Sequence, residues 1–369
     1  MFKFAGFLTC GALLLLTGCS TPGDHEPPPR EWSLPNLAPA PGATNRSKPT
    51  NAPVKVVVAP ATRSNVPPQK ISAPAPAALT WTSLNQWAAE NKLAPPRRVT
   101  ESPVASYAIT SPAGTMIFEI GSREASWRGI EIHLGFPPEI IDNQVFIHGL
   151  DLRKNLEPLL TGKPFTFGTN RVLVLDPGHG GSNTGTHNLT DGRFEKEFTL
   201  DWAFRIQSLL ATNGWTVFLT RTNDMYVTNS TRPLFANAHH ADVFISLHFN
   251  SAAPDTTQSG IEIYCLTPTG MPSTLTRGYN DFWTDHYLNN AYDAENLQLA
   301  VRLQTALLRG SGEEDRGVRR ARFMDVLHDA NCPAILIEGG FLSNPQEAKK
   351  IEDPRFRQKL AEAVAGALK

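Results

Sequence analysis

Four polar side chains stand where predicted strands end or where a predicted helix begins. His179 lies in the turn that follows one apolar run of strand length, His248 ends another such run, and Glu195 opens a helical pattern. Two imidazoles and one carboxylate make up the ligand set of a catalytic zinc site, which keeps a fourth position for water. Zinc in such a site lowers the pKa of that water and polarises a carbonyl oxygen. Glu338, at the end of a third apolar run, then suits the role of general base and general acid.

Each of these residues also has a simpler explanation. His248 alone is an ordinary histidine at a strand end, and Glu195 alone is an acid that favours a helix N-terminus. Glu338 is harder to explain in this way, because a carboxylate directly after four buried apolar residues is costly without a partner. All the simple explanations would have to hold together at one edge of one sheet, so the sequence favours a shared site.

The turn around His179 has the sequence Asp-Pro-Gly-His-Gly-Gly, residues 176–181. Glycines let a backbone take positive φ and approach a ligand closely, so a phosphate-binding loop is the alternative to a metal site. The turn has neither the GxGxxG nor the GxxxxGKS/T pattern, and no lysine directly follows it. A metal site is therefore the preferred interpretation.

From residue 171 onward, strand and helix patterns alternate. The predicted strands cover 172–175, 215–220, 242–248, 260–266 and 334–338. The predicted helices cover 195–212, 231–240 and 294–309, with one or two more at the C-terminus. Such alternation is typical of an α/β domain with a mostly parallel sheet, whose strands end at one edge where open α/β folds place their sites. We predict one such domain over residues 170–369.

Residues 80–165 have a different pattern, in which short strands are separated by glycine and proline turns. This pattern predicts a small β-rich module, with strands at 106–111, 115–120, 124–127, 130–134 and 144–147. Helical patterns precede and close the module, at 80–90 and 149–160. His133 and His148 lie in this region without a carboxylate at ligand spacing, so both are interpreted as structural.

The residues before this module predict that the protein is exported, and that a tether connects its N-terminus to the module. Residues 1–18 contain the apolar run of a signal peptide, too short to span a bilayer as a helix. The Leu-Thr-Gly-Cys sequence ending at Cys19 resembles a bacterial lipobox and implies acylation of Cys19, with an ordinary secretory signal as the alternative. Ser20 then favours a lipid anchor in the cell envelope, at the periplasmic face of the outer membrane. Residues 19–79 predict a disordered Pro/Ala-rich tether.

The charge and the cysteines of the chain allow two further predictions, one about nucleic acid and one about disulfides. Lysine and arginine number 34 against 35 acids, and no basic block stands out, so we expect no nucleic-acid partner. Cys10 leaves with the signal peptide and Cys19 is the acylation candidate. Cys265 and Cys332 either form a disulfide, as exported domains permit, or remain buried thiols.

Four stretches carry a family resemblance: DPGHGG, FEKEFTL, ADVFISLHFN and PAILIEGGFLSN. In this order they resemble the zinc-dependent N-acetylmuramoyl-L-alanine amidases of the amidase-3 type, which hydrolyse peptidoglycan. The resemblance implies one Zn2+ per chain, held by His179, Glu195 and His248, with Glu338 as the catalytic glutamate. It also implies a central sheet with helices on both faces, and cleavage of the amide bond between N-acetylmuramic acid and L-alanine by a zinc-activated water.

Some positions leave alternatives open. Phe194 stands where the family commonly has arginine, and Glu197 competes with Glu195 as the carboxylate ligand. Asn250 and Arg232 are candidate substrate-binding residues, with packing as the alternative for Arg232. Asp176 is expected to accept a hydrogen bond from His179 or from the turn backbone.

Two other functions compete with the amidase, namely a zinc carboxypeptidase acting on wall peptides and a non-catalytic peptidoglycan-binding protein. The sequence identifies no activating partner. Residues 267–293 form a long, aromatic-rich connection after the predicted strand 260–266. Connections of this length are usually functional, and some amidases of this family carry an inserted helix here that covers the metal. We therefore expect the segment to lie beside the cleft. There it either gates or shapes the site, or it only packs on the domain.

Overall fold

The computed structural model describes residues 81–369. The predicted signal peptide 1–18, Cys19 and the tether 19–79 lie outside the described residues. None of the helices within 81–369 combines the length and apolarity needed to cross a membrane.

The described chain begins with short strands and continues as an alternation of strands and helices. The strands are β1 (Trp81–Ser83), β2 (Arg97–Thr100), β3 (Ser106–Ser111), β4 (Gly114–Glu119), β5 (Glu124–Trp127), β6 (Ile130–His133), β7 (Glu139–Ile141), β8 (Gln144–His148), β9 (Val172–Pro177), β10 (Thr216–Leu219), β11 (Val243–Asn250), β12 (Ile261–Cys265), β13 (Asp315–Arg320) and β14 (Ala334–Phe341). The α-helices are α1 (Leu84–Glu90), α2 (Gly149–Asp151), α3 (Glu195–Leu210), α4 (Thr231–Ala238), α5 (Asp293–Ser311), α6 (Asp325–His328), α7 (Pro345–Glu352) and α8 (Pro354–Ala367). A π-helix, Leu152–Thr161, extends α2, and a 3-10 helix, Leu288–Tyr292, precedes α5.

Eleven strands of the described chain join one mixed sheet, in the order β10-β9-β11-β14-β12-β13-β6-β5-β4-β3-β2. Strands β10, β9, β11 and β14 are parallel to one another, and β12 is antiparallel to β14 but parallel to β13. The mostly parallel sheet predicted for residues 170–369 is therefore confirmed, with one antiparallel neighbour that the sequence did not predict. A second sheet contains β1, β8 and β7.

Helices cover both faces of the parallel part, as predicted. Successive side chains of a strand point to opposite faces of its sheet. On β9, Leu173 and Leu175 join the large apolar cluster that includes α3, α5 and α8, whereas Val174 joins the smaller cluster with α4 and α6. Leu336 of β14 belongs to the smaller cluster too. Glu338, two residues further along the strand, shares that face.

The strands on the two sides of the predicted domain boundary belong to the same sheet. Val318 of β13 pairs in parallel with Ile132 of β6, and β6 to β2 continue as antiparallel neighbours. The division into residues 80–165 and 170–369 stays a prediction. If it holds, the two parts are connected edge to edge by main-chain hydrogen bonds.

Two predicted helices differ from the observed ones. The helix predicted at 80–90 begins only at Leu84, because Trp81–Ser83 pairs with β8 as a strand. The helix predicted at 149–160 is present, but most of it is a π-helix that contains Pro158. Proline lacks the backbone N–H that a regular α-helix uses at this position.

The two cysteines of the described chain are free and buried. Cys265 packs in the large apolar cluster and its thiol donates to the carbonyl oxygen of Asn296, whereas Cys332 lies in the smaller cluster. Burial raises the pKa of both thiols, that of Cys265 to about 11 and that of Cys332 to about 12. Of the two alternatives left open by the sequence, the structure contains the buried thiols.

Candidate active site

His179, Glu195 and His248 meet beside the carboxyl ends of β9 and β11. Nε2 of His179 lies 3.0 Å from Oε2 of Glu195, and Nδ1 of His248 lies 2.9 Å from Oε1 of the same carboxylate. The candidate ligand atoms of the three residues all lie within 4.8 Å of one another. Within residues 81–369 this is the one cluster of histidine, cysteine or acidic side chains at metal-binding spacing.

Two buried arginines hold the turn that carries His179. Arg221 donates to the carbonyl oxygens of Pro177 and Gly178, and Arg232 donates to those of Pro177 and His179. The φ angle of His179 is +64°, in the left-handed region that residues other than glycine seldom adopt. These hydrogen bonds keep the turn in that conformation and so fix the direction of the imidazole.

Arg232 lies beneath the turn. Its side chain is 2% exposed, and Nη1 donates to Oδ1 of Asp176 at 2.6 Å. Asp176 also accepts from the hydroxyl groups of Thr220 and Ser246. The prediction that His179 or the turn backbone donates to Asp176 is therefore wrong, because the donors in the structure are Arg232, Thr220 and Ser246. The contacts of Arg232 fit the packing alternative and give no support to a direct contact with substrate.

Asn183 takes the place that the sequence analysis gave to Asp176. Its Oδ1 lies 2.8 Å from Nδ1 of His179 and also accepts from the backbone N–H of Gly185. An amide oxygen can only accept, so Nδ1 of His179 donates to it, and Nε2 is the ring nitrogen that remains for a metal. Partners of this kind orient metal-binding histidines.

The position of Glu195 at the start of α3 distinguishes it from Glu197. The Glu195 carboxylate is buried and accepts from the backbone N–H groups of Thr186 and Phe249, which aim one oxygen at each histidine. Glu197 points elsewhere and accepts from the backbone N–H of Phe194 at 3.2 Å, as a capping residue does. Of the two competing carboxylates, the structure brings Glu195 to the histidines.

The protonation states of the polypeptide suit metal binding. Burial would raise the pKa of Glu195, but the hydrogen bonds from His179 and His248 outweigh it and lower that pKa well below the ordinary value. Burial lowers the pKa of His248 despite Glu195. For the less buried His179, burial is outweighed by the hydrogen bond and the charge of Glu195, and the pKa is raised. A metal ion would therefore find the Glu195 carboxylate ionised and His248 neutral, as ligands must be. Its binding to His179 would release a proton from that ring.

Two glycines leave the space that the ligand side chains occupy. A Cβ atom on Gly178 would lie 2.3 Å from the His248 ring, and one on Gly185 would lie 2.5 Å from Oε2 of Glu195 and 2.6 Å from Cδ2 of His179. The N···O distances of about 3 Å at this cluster are close to the roughly 3.3 Å expected between two ligands of a tetrahedral zinc with bonds of about 2.0–2.1 Å. The side chains and the space around them fit a metal such as zinc.

Gly185→Ala is expected to weaken metal binding by about 10–100-fold, the range typical of changes next to metal ligands. Gly185 has φ +68°, and the new methyl group would push Glu195 and His179 apart. Gly192→Ala is the matched control, because Gly192 has φ +73° with no atom within 4 Å of the added Cβ. Competition titration with a chromogenic chelator measures both variants. Equal affinities of the two variants would contradict the role given to Gly185.

Glu338 lies on β14 directly beside His248 of β11 in the sheet register. Its side chain is buried, and Oε2 makes no hydrogen bond to the described residues. Burial, and then the negative charge of Glu195, raise the pKa of Glu338 well above its ordinary value. A buried carboxyl oxygen without a partner is costly, and at a site of this kind it is free to exchange a proton with a ligand.

The glycine after Glu338 lies against a helix. A Cβ on Gly339 would meet the rings of Trp202 and Phe249 at 2.9–3.0 Å, on the side of α3. Gly339 is therefore required by helix packing.

A cleft opens above these residues, and its lining includes all four predicted side chains. Asn250 lies in its wall, where Nδ2 donates to Oε1 of Glu262 and Oδ1 accepts from Arg277. The apolar part of the wall comes from Phe323, Met324, Val326 and Leu336. A peptide could contact both surfaces.

The segment 267–293 reaches the cleft in a different way from the one expected. Because β12 is antiparallel to β14, the segment leaves the sheet at the edge away from Glu338. No α-helix occurs in it before α5, so this part of the described chain lacks the inserted helix that some amidases of the family carry. Tyr279, Phe282 and Trp283 are exposed, and the member of the segment that lines the cleft is Arg277.

Sequence reasoning missed Asn183, Arg221 and Arg277. Asn183 follows the Gly-rich turn by two residues, so its proximity to His179 could have been suspected. Arg221 comes two residues after the end of β10, at the same sheet edge as the turn. No sequence pattern indicates that Arg277 lies at the site, because its position depends on a loop that folds back over the sheet face.

Fold and site together define an α/β protein with two histidines, a bridging carboxylate and a second buried glutamate at the carboxyl edge of its parallel strands. Residues 173–369 match the family described as N-acetylmuramoyl-L-alanine amidase. This match covers more than half of the chain, which therefore belongs to that family.

The chain is also similar to individual proteins of known name. The chain is 30% identical over 246 residues to the N-acetylmuramoyl-L-alanine amidase AmiC of Escherichia coli O6:H1, covering 59% of this chain and 58% of that protein. It is 30% identical over 200 residues to the probable cell wall amidase LytH of Staphylococcus epidermidis, covering 54% and 57%. The match thus spans less than two thirds of each relative. A solved amidase structure from Clostridium difficile 630 is 29% identical, with a TM-score of 0.46 over 55% of this chain and 96% of that one.

Proposed function

We propose that this chain is a peptidoglycan hydrolase that cleaves the amide bond between N-acetylmuramic acid and the L-alanine of the stem peptide. The observation that carries the proposal is the convergence of His179, Glu195, His248 and Glu338 on one cleft, in a chain of the amidase family. A protein that only binds the wall would not need all four groups.

The resident metal of the proposal is one Zn2+ per chain, held by His179, Glu195 and His248. When bound, it would lower the pKa of a water and polarise the scissile carbonyl group. Asn183 fixes the His179 ring, and the backbone N–H groups of Thr186 and Phe249 fix the Glu195 carboxylate. The protein thereby holds the three donors in place before substrate arrives.

Glu338 is the proton carrier of the proposal. Its free Oε2 would take a proton from the attacking water and return it to the nitrogen of L-alanine as the C–N bond breaks. The products are a lactyl carboxylate on the sugar and a stem peptide with a free amino group. Burial and the charge of Glu195 raise the pKa of Glu338, and the positive charge of a bound Zn2+ would lower it again, towards the ionised form that takes the proton.

Metal removal and return test this function. The full-length chain, purified in detergent, should contain stoichiometric zinc and clear a suspension of purified sacculi. A chelator should abolish clearing, and one equivalent of Zn2+ should restore it. Stoichiometric metal with no cleavage of any peptidoglycan would contradict an enzymatic function and favour the wall-binding alternative.

We also propose that acylated Cys19 anchors the chain in the cell envelope, at the periplasmic face of the outer membrane, with the tether 19–79 spanning towards the wall. The proposal rests on the lipobox-like sequence alone. Metabolic labelling with a fatty acid should mark the wild-type chain, and Cys19→Ser should lose both the label and the membrane fraction. Unchanged membrane association of the variant would contradict the anchor.

A further inference from the structure

Arg277 projects into the cleft from a short closed loop. At the base of the loop, the backbone N–H and hydroxyl of Ser273 both donate to the carboxylate of Asp281, at 2.7 and 2.8 Å. Asp281 is in turn paired with the buried Arg322. The residues between this base and the cleft therefore form a fixed projection from the segment.

Further contacts fasten the loop to the sheet. Thr274 exchanges hydrogen bonds with the backbone of Arg320 on β13, at 2.8–2.9 Å. On the other side of Arg277, Tyr279 stacks on Phe323 with ring centroids 5.5 Å apart. Arg277 itself has φ +47°, a conformation that is rare for a residue other than glycine. Such backbone strain persists where the surroundings impose it, often at functional sites.

The guanidinium of Arg277 has donors to spare. It makes one hydrogen bond to the described residues, from Nη2 to Oδ1 of Asn250 at 3.1 Å, and lies over the ring of Phe323. No acidic side chain within residues 81–369 forms an ion pair with it. A guanidinium has five N–H donors in a planar fork that matches a carboxylate. The remaining donors stand in the lining of the cleft that holds Glu338.

We propose that Arg277 binds the free α-carboxylate of the second residue of the stem peptide, and so sets the preference of the enzyme for stems that carry this charge. The inference rests on the proposed amidase function. It adds a specificity-determining residue and the chemical group that this residue recognises.

Spacing favours this carboxylate over more distant ones. Asn250, which holds Arg277, stands two residues beyond His248 on β11. The register with β14 shifts between these two residues, so about 7 Å along the strand is the most that separates them. Two residues of extended peptide span at most about 7 Å. A stem that enters with its L-alanine amide at His248 and Glu338 therefore brings the carboxylate of its second residue to Arg277.

The test uses two muropeptides that differ at one group. In one, the second stem residue is γ-linked D-glutamate with a free α-carboxylate, and in the other it is γ-linked D-isoglutamine with a carboxamide. The full-length zinc enzyme should cleave the carboxylate form with a kcat/KM about 10–100-fold higher, the range expected for a hydrogen bond between charged groups. Most of the difference should appear in KM.

Arg277→Gln should remove this preference, and Arg277→Lys should restore part of it, because lysine keeps the charge without the fork. Arg302→Gln is the matched control. Arg302 also lies over a phenylalanine ring, that of Phe167 at 4.9 Å, but stands on α5 outside the cleft lining. This control should keep the wild-type preference.

Two outcomes would overturn the inference. One is a wild-type enzyme that cleaves both muropeptides with equal kcat/KM. The other is an Arg277→Gln enzyme whose kcat/KM falls equally for both, since that would mean a role in the loop or at Glu338 instead of carboxylate recognition. Either outcome leaves the amidase function intact, because that function is shown by cleavage of either muropeptide.

Discussion

Glu338→Gln is expected to abolish peptidoglycan cleavage while the protein keeps its zinc. Glutamine has the same shape but cannot carry a proton between water and the leaving nitrogen, and general acid–base groups contribute about 10²–10⁴-fold to rates. The ligands His179, Glu195 and His248 are unchanged, so metal content should equal that of the wild type. Rates of muropeptide release and metal analysis of the same preparation measure the two properties.

The fold should tolerate this substitution. Burial and the charge of Glu195 raise the pKa of Glu338 and so favour its neutral form in the polypeptide, and glutamine is a neutral side chain of the same size. The midpoint of thermal unfolding should therefore not fall. A Glu338→Gln enzyme that cleaves at the wild-type rate would remove this residue from the mechanism.

His179→Ala is expected to lose zinc and activity together. The variant removes the imidazole that Asn183 orients towards Glu195, and leaves two candidate ligands. Because changes in residues that merely orient ligands already cost about 10–100-fold in affinity, loss of a ligand should cost more. Metal content after gel filtration measures the effect, with His187→Ala as the control from the same exposed loop.

Zinc content should also distinguish the two glutamates in the first turn of α3. Glu195→Gln should resemble His179→Ala, whereas Glu197→Gln should keep zinc because glutamine can still accept from the backbone N–H of Phe194. Full metal retention by His179→Ala, or loss of zinc in Glu197→Gln alone, would indicate a different ligand set.

The site residues that stand at or just after strand ends were predictable from the sequence. His248 and Glu338 each end an apolar run and His179 lies in the turn after one, and parallel strands bring such ends to one edge. The choice between Glu195 and Glu197 was not predictable with the same certainty, since both are favourable in the first turn of a helix. Their difference lies in contacts with residues distant in sequence, such as Phe249.

The parts of the fold that were missed depend on long-range pairing. Strand β13 has the sequence Asp-Arg-Gly-Val-Arg-Arg, which resembles no buried strand. It lies inside the sheet, where its arginines have charged or polar partners. Arg316 pairs with Glu262, and Arg320 donates to Asn155 and to the carbonyl oxygen of Lys154. The pairing of β13 with β6 likewise joins residues about 190 positions apart, Val318 and Ile132, which no local pattern predicts.

The orientation of β12 changed the interpretation of residues 267–293. Alternation of strands and helices predicts parallel neighbours, but β12 follows β11 without an intervening helix and runs antiparallel to β14. The segment after it therefore leaves from the far edge and returns over the sheet face to bring Arg277 to the cleft. A sequence pattern cannot distinguish the two orientations of such a strand.

Mass spectrometry of the products released from purified sacculi tests the central claim most directly. The full-length zinc enzyme should release intact stem peptides that begin with L-alanine and carry a free amino group, and should leave glycan strands with a free lactyl carboxylate. Each cleavage should add one water across the bond between the lactyl group and L-alanine. Release of single C-terminal residues from stems that stay attached to the glycan would contradict the amidase function and identify a carboxypeptidase.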